Sequence, residues 1–309
     1  MRKPDFIIVG APRCGSTALH NYLHQHPDIY MPRGEIHYFG SDLTPRPFSW
    51  IKMPTDEEYI ALFSERRESL VGERSCGYLY SELAASEIKA YAPDTKIIIS
   101  VRNPIDMVYS MHSQFVWNGN ENVKNFEEAW EVEETRLRGP KLIRDGEIIK
   151  THLYKTMAKY SPRIENFTSE FGWENVHVII YDELNSDTPG TYRGLIRFLG
   201  ADEDFEPEFK VINPSKRRRT HLQTRLKIAS PQYVKQIVRA ALPRSVRQAI
   251  WRGLSRVNTI NEPLEPLAPQ TRKKLRDEFA PDIDELGRLL DRDLSHWLEN
   301  GASQAPMTE

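Results

Sequence analysis

The amino-acid sequence predicts an α/β protein in which helices flank a parallel sheet. Short apolar segments alternate with segments of helical periodicity in the first half of the chain, as in consecutive strand–helix–strand units. The first apolar segment runs directly into a loop with two glycines, a common way to join a strand to a helix. The chain has 309 residues, 39% of them hydrophobic, which is enough for a sizeable core.

Each predicted strand is a nearly uninterrupted apolar run, as expected for a strand that is buried on both faces. The three runs are Phe6–Val9, Lys96–Val101 and Val176–Tyr181. Because helical segments separate them, we expect the strands to pair in parallel.

The ends of the predicted helices are marked by proline and glycine. The first helix spans 16–26 and ends before Pro27, because the residue that precedes a proline is biased out of the helical region. Pro104 suits the first position of the next helix, and a helix over Thr191–Leu199 ends at Gly200. Two further helices are predicted near the C-terminus, followed by a short closing segment: Gln270–Phe279, Ile283–Leu290 and His296–Leu298.

We expect one domain over residues 1–300, with a basic helical segment at about 210–257 inside it and a flexible tail at 301–309. Two cysteines, Cys14 and Cys76, provide no disulfide framework, which fits a reducing compartment. The apolar run near the N-terminus is too short for a signal peptide, and no stretch reaches membrane-spanning length. We therefore expect a cytoplasmic protein, and the net charge of −2 argues against nucleic acid as a partner.

The segment Gly10–Thr17 carries the strongest functional signal. It follows a buried strand and opens a helix, an arrangement in which backbone N–H groups and the helix N-terminus bind phosphate or sulfate oxygens. Its glycines have Walker A spacing, but Ser16 stands where the Walker lysine would be, and Arg13 is the cation of the loop. Such a loop is poorly suited to the β- and γ-phosphates of ATP with Mg²⁺, but it can hold a 5′-phosphosulfate.

Residues 12–19 resemble the 5′-phosphosulfate loop of the PAPS-dependent sulfotransferases, particularly the carbohydrate-type bacterial and Golgi members. The resemblance implies the P-loop-like sulfotransferase fold, 3′-phosphoadenosine 5′-phosphosulfate (PAPS) as co-substrate, PAP as product and no metal. The implied donor-binding residues of the loop are Arg13, Cys14, Gly15, Ser16 and Thr17, and Arg13 would also assist catalysis. Many members carry lysine where Arg13 stands, so a planar fork replaces a point charge.

A second segment resembles the 3′-phosphate motif of the same family. Arg102 ends the second predicted strand, and Ser110 follows eight residues later on a helix. Taken alone, this is also the pattern of an ordinary turn with a surface arginine. Weaker similarities to the family occur in the expected order at 72–78, 198–200, 213–215 and 267–297.

The acceptor side requires a base that removes a proton as the new S–O bond forms. Glu35 resembles the glutamate of a Lys-Glu-x-His-Phe-Phe-like motif that supplies this base in glycan-modifying members, although Gly34 replaces the lysine here. Glu35 as a solvated loop residue is the alternative. His112 is a competing base, and His37 is expected to have a packing role.

Residues 210–252 contain twelve lysines and arginines and no acidic residue. Lys216, Arg217 and Arg218 stand where family members place a basic loop that closes over the nucleotide. The part from 225 to 252 alternates basic and apolar residues, a pattern that can bind an acidic carrier, an anionic glycan or the inner membrane surface. A solvated helix face explains the same pattern.

The predicted function is transfer of a sulfuryl group from PAPS to a hydroxyl or amine of an acceptor, most simply a glycan or glycolipid, by in-line displacement. Two other classes stay open. One is a P-loop NTPase or small-molecule kinase, because Val178–Asp182 resembles a Walker B strand. The other is a catalytically silent protein that binds PAP or a glycan.

Overall fold

A computed structural model describes residues 2–43, 53–118, 120–133, 153–210 and 265–299, and the backbone of 217–218 and 259–260. Five strands form its central sheet: β1 (Phe6–Gly10), β2 (Ile29–Tyr30), β3 (Leu70–Arg74), β4 (Lys96–Val101) and β5 (Val176–Ile180). The spatial order is β2-β3-β1-β4-β5, and all of these strands are parallel. The predicted fold class is confirmed.

Helices lie on both faces of the sheet. In chain order they are α1 (Ser16–Leu23), α2 (Asp56–Ala61), α3 (Ala84–Tyr91), α4 (Pro104–Asn118), α5 (Phe126–Glu131), α6 (Tyr154–Met157), α7 (Ser161–Phe171), α8 (Tyr181–Ser186), α9 (Thr188–Leu199) and α10 (Pro269–Leu290). Short 3₁₀ turns occur at Tyr78–Tyr80, Trp173–Asn175 and Ser295–Leu298. A separate antiparallel pair joins β6 (Arg217–Arg218) to β7 (Thr259–Ile260). Within the described ranges, no helix is long and apolar enough to cross a membrane.

Two hydrophobic cores lie on opposite faces of the sheet, because successive strand side chains point to opposite sides. On β4, Ile97 and Ile99 belong to one core and Ile98 to the other. The first core also contains buried residues of α3, α4, α7 and α10, whereas the second is formed largely with α1 and α9. The central residues of β4 are therefore apolar on both faces of the sheet.

The chain order of the strands places a crevice between β1 and β4. After β1, the chain adds β2 and β3 on one side of it, and then returns to add β4 and β5 on the other side. Such a switch point, at the carboxyl ends of parallel strands, is where open α/β sheets bind ligands. The loops that follow β1 and β4 meet there, and these are the two loops that carry the predicted donor motifs.

Several predicted boundaries differ from the structure. Helix α1 ends at Leu23 rather than at residue 26, because a tighter turn takes over before Pro27, in which the His26 N–H bonds to the Leu23 carbonyl oxygen. The predicted strand Val176–Tyr181 ends at Ile180, and Tyr181 opens α8.

The prediction of two C-terminal helices was wrong. One helix, α10, runs through Pro281, although proline removes a backbone hydrogen bond at that position. The buried residues Leu275, Phe279, Ile283 and Leu286 form one continuous apolar stripe at helical spacing. Burial of this stripe on both sides of the proline keeps the helix continuous.

Candidate functional site

The loop after β1 is closed by contacts to β4 and α8. The Ala11 N–H bonds to the Ser100 carbonyl oxygen, and the Ser100 hydroxyl donates to the carbonyl oxygen of Cys14. Gly15, the residue before α1, has φ 88°, and a Cβ there would come within 2.7 Å of Leu184. Only glycine fits this position, and the loop consequently leaves the first N–H groups of α1 open for an anion.

Arg13 brings the loop and α4 together. Its Nε donates to Ser110 Oγ at 2.9 Å, and its Nη1 donates to Gln114 Oε1 at 3.3 Å. Ser110 and Gln114 are four residues apart and therefore share one face of the helix. Arg13 also has φ 66°, a conformation that a non-glycine residue adopts at a cost and that is common at ligand sites.

Arg102 adds a second guanidinium to the same place. It lies over the ring of Tyr181, with 4.8 Å from Cζ to the ring centroid, and its buried Nε has no hydrogen-bond partner among the described residues. Burial and, next, the positive charge of Arg102 lower the pKa of Arg13. Two like charges therefore face each other in a poorly solvated site, which favours a bound anion.

Arg74 supplies a third guanidinium, which the sequence analysis did not single out as a site residue. It ends β3, beside β1 in the sheet, and its Nη1 donates to Thr17 Oγ1 at 2.7 Å. The side chain is buried, and its Nε has no partner in the described part of the chain. The available signal was position, since an arginine that ends a buried strand lies at the ligand-binding edge.

The two cysteines of the site are protonated at neutral pH. Burial raises the pKa of the Cys14 thiol to about 12, and burial together with the nearby Glu35 carboxylate raises the pKa of Cys76 further. The Cys76 thiol lies 3.0 Å from Ser16 Oγ. Both side chains thus contribute packing and weak hydrogen bonds, so Cys14 can bind a ligand only through its backbone.

Glu35 lies in the loop after β2, beside the anion-binding loop. Its Oε2 is 3.2 Å from His37 Nε2, and its side chain is one-third exposed. Burial alone would raise the pKa of Glu35, but the hydrogen bond and charge of His37, the charge of Arg74 and the Cys76 N–H lower it. Glu35 is therefore an ionised carboxylate that a substrate can reach, next to a guanidinium that contacts the loop.

His112 occupies a different environment. It is buried, its ring packs against Phe126 and Tyr154 at 5.4 and 5.9 Å between centroids, and its Nε2 lies 2.9 Å from the Val123 carbonyl oxygen. It lies two positions after Ser110 on the helix, so it projects from another side of α4. This geometry favours Glu35 over His112 as the base, which stays a prediction.

The predicted nucleotide-closing residues are only partly described. The backbone of Arg217 and Arg218 forms β6, which lies beside α4. The side chains of both residues, Lys216 and the basic stretch 225–252 lie outside the described residues, as does the predicted tail at 301–309. The assigned roles of these segments and the single-domain expectation stay predictions.

The segment that resembles a Walker B strand has a structural explanation. Asp182, which follows β5, accepts hydrogen bonds from Trp297 Nε1 at 2.5 Å and from His296 Nε2 at 3.1 Å. These bonds attach the C-terminal turn to the end of the sheet. One carboxylate oxygen already has two partners, which weakens its assignment as a ligand of nucleotide-bound Mg²⁺.

Three guanidinium groups around a strand–loop–helix unit at a topological switch point are typical of one class of protein, the α/β enzymes that bind phosphorylated or sulfated ligands. The comparison with protein families is more specific. The family model described as "Sulfotransferase domain" matches residues 3–236, three quarters of the chain, and the chain belongs to this family.

Individual relatives agree with this assignment. The chain is 31% identical over 114 residues to human heparan sulfate glucosamine 3-O-sulfotransferase 6, covering 37% of this chain and 31% of the relative. It is 24% identical over 208 residues to bifunctional heparan sulfate N-deacetylase/N-sulfotransferase 1 of Xenopus tropicalis, covering 65% and 22%. The chain thus spans less than a third of the length of either relative.

A solved structure matches over almost the entire chain. The crystal structure of a sulfotransferase from Alicyclobacillus acidocaldarius has a TM-score of 0.72 and 27% identity, and the match covers 97% of this chain and 100% of that one. The parallel sheet and its helices are therefore those of a sulfotransferase.

Proposed function

We propose that this protein transfers a sulfuryl group from PAPS to a hydroxyl or amine of a glycan or glycolipid. The observation that carries the proposal is the meeting of Arg13, Arg74 and Arg102 at one loop, next to the reachable carboxylate of Glu35. Among the described residues, no carboxylate forms an ion pair with Arg13 or Arg102. The site therefore combines unneutralised positive charge with a base.

The residues fit a donor that carries negative charge at both ends. At the 5′ end, the N–H groups that begin α1 and the guanidinium of Arg13 would hold the phosphosulfate. At the 3′ end, Arg102 and Ser110 would hold the 3′-phosphate. The buried Nε atoms of Arg74 and Arg102 lack partners among the described residues, and an anion would satisfy them with charge-assisted hydrogen bonds.

The proposed reaction is a single displacement at sulfur. PAPS supplies an activated sulfuryl group, and the acceptor oxygen or nitrogen forms a bond to sulfur as the bond from sulfur to the phosphate oxygen breaks. Glu35 takes the acceptor proton, because it is ionised and can be reached by substrate. Arg13 and Arg74 stabilise the charge that develops on the leaving and sulfonyl oxygens, so a metal ion is not required.

The names of the relatives support a glycan acceptor. The two curated relatives are described as heparan sulfate sulfotransferases, one for glucosamine 3-O-sulfation and one for N-sulfation. Both names agree with a carbohydrate acceptor, and together they leave oxygen and nitrogen open as the acceptor atom. We propose that a polysaccharide or glycolipid amino sugar, rather than a small aromatic alcohol, is the acceptor.

Thermal unfolding with nucleotides tests the donor. PAP and PAPS should raise the melting temperature without Mg²⁺, because a ligand that binds only the folded state stabilises it by mass action. ATP with Mg²⁺ should have a much smaller effect, since it has no 3′-phosphate for Arg102 and Ser110. Equal shifts with PAP and with ATP plus Mg²⁺ would favour the kinase class instead.

We also propose that the basic stretch 225–252 recruits an anionic acceptor, or an acidic carrier or the inner membrane surface, in a cytoplasmic protein. Its seven positive charges without an acidic residue support the proposal. Reversal of Lys235, Arg239 and Arg247 to Glu should raise the acceptor KM or release the protein from anionic vesicles, and added salt should weaken the wild-type effect. If PAP still stabilises the variant while both readouts are unchanged, the stretch is a solvated face.

A further inference from the structure

The carboxylate of Glu73 is buried at the end of β3 and accepts three hydrogen bonds from hydroxyl groups. The donors are Ser75 Oγ at 2.8 Å, Tyr59 OH at 2.9 Å and Tyr78 OH at 3.1 Å. Glu73 has no accessible surface, so it cannot contact a substrate. A fully buried carboxylate is costly unless it is hydrogen-bonded, so these three hydroxyl groups are what stabilise its charge.

Two of these hydroxyls also bind the loop that contains Glu35. Ser75 Oγ accepts the N–H groups of Ile36 and His37, at 3.0 and 2.9 Å. Tyr78 OH accepts the N–H groups of Tyr38 and Phe39, at 2.7 and 3.2 Å. Four consecutive amides directly after Glu35 are thus held by two side chains that in turn depend on Glu73.

The direction of these hydrogen bonds requires an ionised Glu73, which is the predominant form above about pH 7 because burial raises the pKa of this carboxyl to about 7. Each hydroxyl has one proton, and it can accept from the loop amides only if that proton points elsewhere. An ionised carboxylate is solely an acceptor, so it takes the protons of Ser75 and Tyr78 and leaves their lone pairs for the loop. A carboxamide at this position would present an NH₂ donor to at least one of the two hydroxyls, whose proton would then compete with the loop N–H groups.

We propose that Glu73 is a positioning residue that fixes the loop 36–39, and through it the carboxylate of Glu35, by setting the direction of the Ser75 and Tyr78 hydroxyl protons. The proposal rests on the proposed role of Glu35 as the base. The third hydroxyl, that of Tyr59, bonds to Glu73 but is bonded to none of the four loop amides. Tyr59 therefore provides a matched control within the same buried cluster.

Amide hydrogen exchange of the full-length protein, at a pH above 7 where most of Glu73 is ionised, tests the proposal without an acceptor. Ser75→Ala should speed exchange at Ile36 and His37, and Tyr78→Phe should speed it at Tyr38 and Phe39, by about tenfold for each lost acceptor. Glu73→Gln should speed exchange at one of these two pairs. The affected pair is the one bound by the hydroxyl, of Ser75 or Tyr78, that faces the NH₂ group of the glutamine side chain.

Tyr59→Phe should leave all four loop amides at the wild-type rate. The proposal is overturned if Glu73→Gln leaves residues 36–39 unchanged, or if Tyr59→Phe speeds them as much as Glu73→Gln does. If Glu73→Gln does not fold, the exchange patterns of Ser75→Ala and Tyr78→Phe decide whether the proposal holds. Faster amide exchange across the whole sheet in both variants, rather than at separate pairs of loop amides, would overturn the proposal.

Kinetics connect the positioning to turnover. With ³⁵S-labelled PAPS and N-desulfated heparan sulfate as the acceptor probe, Glu73→Gln should lower kcat by about 10²-fold, as expected when a base is displaced by about 1 Å, and leave the KM for PAPS unchanged. A higher KM for PAPS with unchanged kcat would contradict positioning of the base. If the wild-type protein transfers no label to any glycan, the proposed function fails, while the exchange pattern still decides the role of Glu73.

Discussion

Replacement of Arg13 by alanine should weaken the binding of PAP without changing the stability of the ligand-free protein much. The guanidinium forms two hydrogen bonds to α4 but is held near Arg102, which lowers its pKa along with burial. Both guanidinium groups are half-buried, and removal of one of them relieves that repulsion, which offsets the loss of the two bonds. We therefore expect the free energy of unfolding without ligand to change little, whereas the stabilisation by PAP should fall sharply.

The magnitude follows from the contact that is lost. A charge-assisted hydrogen bond contributes about 1.5–3 kcal/mol, which corresponds to a Kd for PAP that is about 10- to 150-fold weaker. At a PAP concentration of about 100 times the wild-type Kd, PAP stabilises the wild-type protein by about 2.7 kcal/mol. At the same concentration, this stabilisation should fall to between about 0.3 and 1.3 kcal/mol in Arg13→Ala.

Urea unfolding without PAP measures the free energy of unfolding of each variant, and urea unfolding with PAP measures the added stabilisation by the ligand. Arg197→Ala is the control, because Arg197 is an exposed arginine on α9 that pairs with Glu203, away from the loop. The control should keep the full PAP stabilisation. If Arg13→Ala also keeps it, or if Arg13→Ala is strongly destabilised without ligand, the assignment of Arg13 as an anion-binding residue is refuted.

Two further predictions concern buried and half-buried carboxylates. Burial, only partly offset by the hydroxyls of Ser75, Tyr59 and Tyr78 and by the charge of His37, raises the pKa of Glu73 to about 7. Between about pH 4.5 and 7 the folded protein holds a proton that the unfolded chain has released, so the free energy of unfolding should fall by up to about 3 kcal/mol as pH rises through this window. Urea titrations should show this slope for the wild type, and an equal slope in Glu73→Gln would contradict it. Asp182→Asn should lower the free energy of unfolding by about 1–3 kcal/mol, because the indole N–H of the buried Trp297 loses a charged acceptor, and should leave the PAP-induced shift intact; loss of PAP binding would show that Asp182 belongs to the nucleotide site.

The sequence was informative where one local rule determined the structure. The apolar runs 6–9 and 96–101 predicted β1 and β4 because strands buried on both faces have no polar alternation. The loop between Gly10 and Thr17 predicted the position of the candidate site because glycine, arginine and a following helix form a local anion-binding unit, and its role in binding the donor stays a prediction. Pro104 and Gly200 fixed two helix ends for the same local reason.

The sequence was uninformative where contacts between distant segments decide the role of a residue. In the sequence, Arg74 is only an arginine in a short polar segment. Its contact with Thr17 arises because β3 pairs with β1 in the fold. Glu73 lies in a segment with a weak family similarity, but its role could not be predicted, because the three hydroxyls that bind it come together only in the fold. Similarly, the continuous helix through Pro281 depends on packing against the core rather than on helix propensity.

The most direct test of the proposed function measures the transfer of ³⁵S from labelled PAPS to a panel of desulfated glycans. The wild type and Glu35→Gln are compared after their affinities for PAP have been shown to be equal. We predict that wild type labels a glycan in the presence of a metal chelator, and that Glu35→Gln lowers kcat by about 10²–10⁴-fold with an unchanged PAP-induced shift. Full turnover by Glu35→Gln, with turnover abolished in His112→Ala, would contradict the account of the base. Tight PAP binding by the wild type without label in any glycan would contradict the proposed reaction.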